Sequence, residues 1–241
     1  MSFELRKYRE YTNAEGLVKF EVIEGETDLL IMADKYLNDS AQLSIAKYRG
    51  DISKYISEHP EFQEAYSPLN VPFFSKQIIK NMAWAAKRAK VGPMAAVAGA
   101  MAELVGKELL KFTNEIIIEN GGDIFLKINK TRKVGIFSGS SPFSEKIALE
   151  IDPKDTPCGV CTSSGTIGPS FSFGKADAVC VIAKSAALAD AAASAIGNVV
   201  ESIETIDKGI EIAKKIRGLM GVLIIKDDRM GVLGRIKIVP S

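Results

Sequence analysis

Two stretches of small residues constrain this chain more than anything else in it: PMAAVAGAMAELVGKELLKF, from Pro93, and ALADAAASAIGNVV, from Ala187. Alanine is the strongest helix former, and proline suits a first helical turn, so both stretches read as helices, over residues 93–112 and 186–202. Side chains this small let neighbouring backbones approach closely. The sequence therefore predicts central, buried helices around which the remaining elements are built.

Those elements are mostly strands. Period-two patterns mark residues 4–11, 17–23 and 27–33 as an antiparallel meander. Helical spacing follows over 40–57 and 76–89, with prolines at 60, 68 and 72 breaking the chain between them. NEIIIENGGDIFLKINK is an apolar run, a turn containing Asn-Gly and an alternating run, which together signal a hairpin. Further strands are expected at 133–137, 146–151 and 177–183, an amphipathic helix at 204–217, and closing strands at 222–226 and 234–239. The plan is an α+β fold with mixed antiparallel sheets and buried Ala/Gly-rich helices. It forms one unit over residues 1–241, with a hint of two similar halves.

The totals narrow the function. With 46% hydrophobic residues, 25% charged residues and a formal net charge of +1, the chain lacks the overall charge that draws a protein to nucleic acid or a membrane. No basic run with interleaved aromatics appears, so neither partner is expected. The start lacks the apolar core of a signal peptide, and three cysteines fit a reducing compartment, so a cytoplasmic protein is expected.

The stretch DTPCGVCTSSGTIGPSFSFG, from Asp155, reads as a loop with three readings: a redox pair, half of a metal site, or a cradle for an anion. Cys158 and Cys161 have the spacing of a small disulfide ring or of two metal ligands. A self-contained zinc site would also need Cys180 and His59, of which the first sits in an apolar strand. A thioredoxin-like site would need a helix directly after the pair. The backbone of Thr162, Ser163, Ser164 and Gly165 could turn inward around an anion. Two ordinary thiols in a turn is the simpler alternative. The run Asn120, Gly121, Gly122, Asp123 is explained by hairpin chemistry, although paired glycines also admit a ligand. Asp190 and Ser194 share a helical face and offer two oxygen donors of the kind Mg²⁺ prefers.

In order, the Ala/Gly-rich helix, IENGGDI, CTSSG and ALADAAASAIGN resemble the ApbE-type superfamily, whose flavin transferases use FAD and Mg²⁺. The strings PMAAVAGAMAE, GGDIFLK and GVCTSSGTIGPSFSFGKADAV are most similar to a branch separate from those transferases. The resemblance implies a metal site at Asp190 and Ser194, a flavin-facing turn at Gly121 and Gly122, and a Thr-Ser-Gly segment at Thr162, Ser163 and Gly165 with Ser164 inserted. Two features depart from the transferases: Ala98-Gly99 stands where they carry Lys-Gly, and residues 166–189 hold no histidine. The branch further implies reduced-sulfur handling towards homocysteine or cysteine. In that role Cys161 carries a persulfide, Cys158 assists as its resolving partner, and a small molecule or protein donates the sulfur. A flavin-nucleotide-binding protein and a non-catalytic partner protein are the alternatives, and the small-residue helices would also suit a homodimer.

Overall fold

The computed structural model describes Arg9, residues 14–165 and residues 174–241. Apart from Arg9, the strand expected at 4–11 lies outside them. Strands β1 (Val18–Glu24) and β2 (Thr27–Ala33) form a hairpin, followed by helices α1 (Asn38–Glu58), α2 (Glu61–Glu64), α3 (Gln77–Ala89) and α4 (Val97–Leu109). Pro93 opens a 3-10 turn that leads into α4. A second hairpin, β3 (Ile116–Asn120) and β4 (Asp123–Lys127), follows. Next come β5 (Arg132–Gly135), β6 (Ile147–Ile151), β7 (Cys158–Ser163), β8 (Ala178–Ala183), α5 (Ala186–Gly197) and α6 (Ile206–Lys215). The described chain ends with β9 (Leu219–Lys226), β10 (Arg229–Gly234) and β11 (Ile238–Pro240).

Eight strands form one sheet in the order β1-β2-β3-β4-β7-β8-β9-β10, and every neighbouring pair is antiparallel. Each half of this sheet is two strands, a set of helices and two more strands, and the halves join where β4 pairs with β7. This is the two-halves plan expected from the order of elements. A smaller sheet, β11-β6-β5, packs on the other side.

Alternation along the strands divides the interior in two. Phe20, Ile31, Ile118, Phe125, Val181 and Ile224 face the helices. Leu30, Ile117, Leu126, Val160, Ile182 and Leu223 face the smaller sheet, against Leu149 and Ile151. The central strands are therefore covered on both faces, which is why III of β3 and AVCVIA of β8 read as unbroken apolar runs.

Three expectations need correction. Residues 158–163 are not a loop but a central strand, bonded to β4 on one side and β8 on the other. The closing strand expected at 234–239 is two strands in different sheets, because Gly234 turns at φ +77° between them. Helix α5 stops at Gly197 rather than reaching residue 202.

The small residues act as expected, and most sharply at Ala186, where α5 begins. A Cβ on Gly159 would lie 2.2 Å from the Ala186 Cα, and one on Gly99 would lie 2.3 Å from the Ala186 carbonyl oxygen. Strand β7, helix α4 and helix α5 thus meet backbone to backbone. Gly159→Ala should cost about 1–3 kcal/mol of stability, as overpacking does at a site whose neighbour is main chain. Urea unfolding checks this; an unchanged midpoint would show that α5 can retreat freely.

Candidate functional site

The same meeting point gathers the polar side chains. Asp123 opens β4 on the helix-facing side, directly opposite Cys161 of β7. Asp190 comes from the second turn of α5. Its Oδ2 accepts the Gly99 N–H at 2.8 Å, and the Ala98 N–H also donates to it. Those amides belong to the first turn of α4, whose preceding residue provides no side-chain cap. A carboxylate from a neighbouring helix therefore serves donors that α4 leaves open. Asn120 fixes the same backbone by donating from Nδ2 to the Ala98 carbonyl at 3.2 Å.

The two carboxylates repel each other. Burial, with the charges of Asp190 and Glu119 added, pushes the Asp123 carboxyl well above its ordinary range. Burial pushes Asp190 up to about 7, against the opposing effect of its backbone donors. The charged groups acting on Asp123 are both acidic. Asp190 nevertheless keeps partial solvent access, as do Ala98, Asn120, Gly122, Ser163 and Ser194. The acid pair thus lies beside partly exposed residues rather than in a sealed core.

The turn beside it is held by a buried ionic chain. Arg9 is 5% exposed and donates from Nε to Glu119 Oε2 at 2.6 Å, from Nη1 to Asp28 Oδ1 at 2.6 Å, and from Nη2 to the Asp28 carbonyl at 2.9 Å. Burial opposes its charge, but Glu119 and Asp28 together leave its pKa raised. The second Glu119 oxygen accepts the Gly122 N–H at 2.8 Å, and the Gly122 carbonyl accepts the Thr162 N–H at 3.2 Å. Gly121 and Gly122 have φ of +67° and +102°, which glycine alone adopts without strain. Sequence reading missed Arg9, Asp28 and Glu119. The available signal was the lone acid in each of two otherwise apolar strands.

The cysteines do not form a pair. Three residues apart on one strand, Cys158 faces the smaller sheet and Cys161 faces the helices. Both are fully buried, and all three cysteines are free. Burial pushes Cys158 up to about 12 and Cys180 to about 11; burial, with Asp123 and Asp190 beside it, raises Cys161 well above the usual thiol range. The Cys161 Sγ lies 3.3 Å from the Ala186 carbonyl. An accessible thiolate with a resolving partner, as the resemblance implied, is not what this strand presents. The loop reading assumed exposure, whereas a two-sided central strand imposes burial.

The other expected residues divide. Thr162 brings its backbone to the Gly122 turn, but its hydroxyl donates to Cys180 Sγ at 3.2 Å on the far face of the sheet. Ser163 faces the helices by alternation, and Ser164 is partly exposed. Gly165 is exposed and donates its N–H to the Ala176 carbonyl at 2.9 Å. Ser194 lies one turn beyond Asp190 and is partly exposed. Among the described residues, no three His, Cys, Asp or Glu side chains are grouped to hold a metal.

This fold, with its central antiparallel sheet and buried small-residue helices, is that of the ApbE-like α+β proteins. It matches the Pseudomonas stutzeri flavinyl transferase ApbE with a TM-score of 0.60 at 12% identity, over 90% of this chain and 94% of that one. It matches the Vibrio cholerae flavin transferase ApbE with a TM-score of 0.60 at 14% identity, over 93% and 97%. The chain belongs to the family described as AbpE bacteria, whose profile spans residues 9–217. It is 42% identical over 223 residues to a UPF0280 protein of Methanococcus aeolicus, covering 90% of each chain. A UPF0280 protein of Methanocaldococcus jannaschii is 39% identical over 224 residues, covering 90% of this chain and 91% of that one.

Two predictions follow from the charges. Asp190 has a raised folded pKa, so its contribution to stability is full below its unfolded pKa of 3.8 and lost as pH rises through about 7. Asp190→Asn should therefore match the wild type in acid and exceed it by about 4 kcal/mol above neutrality. Paired urea titrations across that range measure the difference, and a constant offset would contradict it. Arg9→Met removes the buried guanidinium that Glu119 and Asp28 share and should cost about 3–5 kcal/mol, read by the same unfolding assay.

Proposed function

We propose that this protein binds a flavin nucleotide over the partly exposed residues beside Asp123 and Asp190, with a divalent cation between the carboxylates and the ligand's phosphates. The observation that carries the reading is the acid pair itself. Two carboxylates that repel each other beside partly open backbone are completed by positive charge. Two carboxylates fall short of an all-protein cage but suit Mg²⁺, which is bound through one or two carboxylates plus phosphate oxygens and keeps several waters. Asp123 and Asp190 would hold the ion, with Ser194 one turn along α5, and the ion would neutralise the pyrophosphate. The Gly121–Gly122 turn lets a ligand approach main chain directly, and the Glu119 contact keeps that turn in place. The named activity of the ApbE structural neighbours supports flavin as the ligand class.

Binding is proposed without flavin transfer, because Ala98-Gly99 donates its amides to Asp190 in place of the Lys-Gly of the transferases, and no histidine lies between residues 166 and 189. Sulfur handling at Cys161 draws less support. Attack on sulfur needs a thiolate, and two acidic neighbours favour the protonated thiol.

Thermal unfolding with FAD and Mg²⁺ tests the proposal. At ligand near a hundred times Kd, stabilisation of about 2.7 kcal/mol should raise Tm by roughly 5–10 °C. The Mg²⁺-dependent part should vanish with EDTA and in Asp190→Asn. It should also weaken as pH falls below about 7, because the acid pair must release its proton to take the cation. No shift with FAD and Mg²⁺ at any pH would refute the reading.

A further inference from the structure

Between Glu64 and Glu103 the chain has no acidic residue, yet it carries Lys76, Lys80, Lys87, Arg88 and Lys90. Helix α3 buries Ile78, Ile79, Met82, Ala83, Ala85, Ala86 and Ala89 in the core and turns its remaining positions outward. Its 13 residues make a strip about 20 Å long. The strip continues past its own end, because Arg88 Nη1 donates to the Arg217 carbonyl at 3.1 Å. That contact sets exposed Lys215 and Arg217 alongside.

At the other end stand Phe73 and Phe74, 93% and 88% exposed, with Trp84 half-exposed between the cations. Two adjacent, nearly bare phenylalanines are an unusual feature of a surface otherwise made of charge. Their setting matters as much as their exposure. Lys80 sits 5.6 Å from the Phe73 ring centroid, and Arg88 sits 4.8 Å from the Trp84 ring. Cations therefore already lie over rings that a single-stranded nucleic acid would need for stacking. A pair of apolar rings projecting from a bed of amines instead matches the boundary between lipid headgroups and acyl chains. There rings enter the apolar layer and cations meet phosphates.

We infer that Phe73, Phe74 and the outer face of α3 form a docking surface for an anionic lipid bilayer. The protein rests on the membrane and does not cross it. No described helix is long and apolar enough to span a bilayer, and the apolar face of α3 is already committed to the core. The net charge of +1 conceals this surface, because acidic residues elsewhere in the chain offset the cations of this acid-free stretch.

Vesicles of equal parts phosphatidylglycerol and phosphatidylcholine provide the test, with Trp84, the only tryptophan, as reporter. The purified chain should cosediment with them at low salt, shift its tryptophan emission to the blue and ignore pure phosphatidylcholine vesicles. Phe73→Ser with Phe74→Ser should weaken binding about tenfold, and each of Lys80→Gln and Lys87→Gln about fivefold. Melting temperatures should stay unchanged, since these side chains lie outside the core. Failure to bind anionic vesicles overturns the inference, as does full binding by the double phenylalanine variant. Displacement from vesicles by an equal concentration of single-stranded RNA would assign the surface to nucleic acid instead. None of these readouts involves FAD, so this surface and the flavin reading stand or fall separately.

Discussion

Everything near the site depends on the contact of one backbone with two others at Ala186. Gly159 and Gly99 leave no room for a Cβ there, so the start of α5 is clamped between β7 and the start of α4. That clamp decides where Asp190 points, because the carboxylate lies one turn further along α5 and reaches the Ala98 and Gly99 amides. The register of β4 against β7 decides the position of Asp123. The acid pair is therefore a consequence of main-chain packing, with few side-chain adjustments available to relax it.

Such a pair is costly unless something shares the charge. The structure meets part of that cost with the α4 amides, and burial raises both carboxyl pKa values, which favours their neutral form. Across the sheet the opposite solution operates: Arg9 answers Glu119 and Asp28 directly, in a tight buried cluster. The two arrangements meet at Gly122. Its N–H is held by the neutralised cluster, and its carbonyl fixes the strand that carries Cys161. One acidic group is fully answered and supports the turn, while the other is left incompletely answered where solvent can enter. That asymmetry separates a structural cluster from the acid pair proposed as a binding site.

The legible parts of the sequence were those governed by local rules. The Gly-Gly hairpin and the strands β1 and β2 express geometry within a few residues and formed as expected, whereas Pro93, expected in the first turn of a helix over 93–112, opens a 3-10 turn and the helix spans Val97–Leu109. Strand β7 escaped because its evidence is non-local. Gly159 looks like a loop residue until Ala186 is placed against it, and Thr162 and Ser163 look solvated until β8 pairs with them. The cysteine pair was misjudged for the same reason. Spacing of three suggests cooperation in a turn or helix, but in a strand it puts the two thiols on opposite faces. Asp190 was found through the helical face it shares with Ser194 and again through resemblance, and Asp123 through its turn. Their mutual repulsion, and the part played by Arg9, needed the fold.

A similar limit applies to net charge. A total of +1 excluded polyanionic partners only on the assumption that charges are mixed evenly. Folding separates them instead, placing carboxylates in the interior beside the β3–β4 turn and lysines with arginines along α3. The two populations have different physical roles. Buried acids act over a few ångströms through a medium that screens them poorly, so they select a small cation or a proton. Exposed cations act over about a Debye length, so only an extended anionic surface can engage several at once. A sum over the chain cancels these terms, although in the folded protein they never meet.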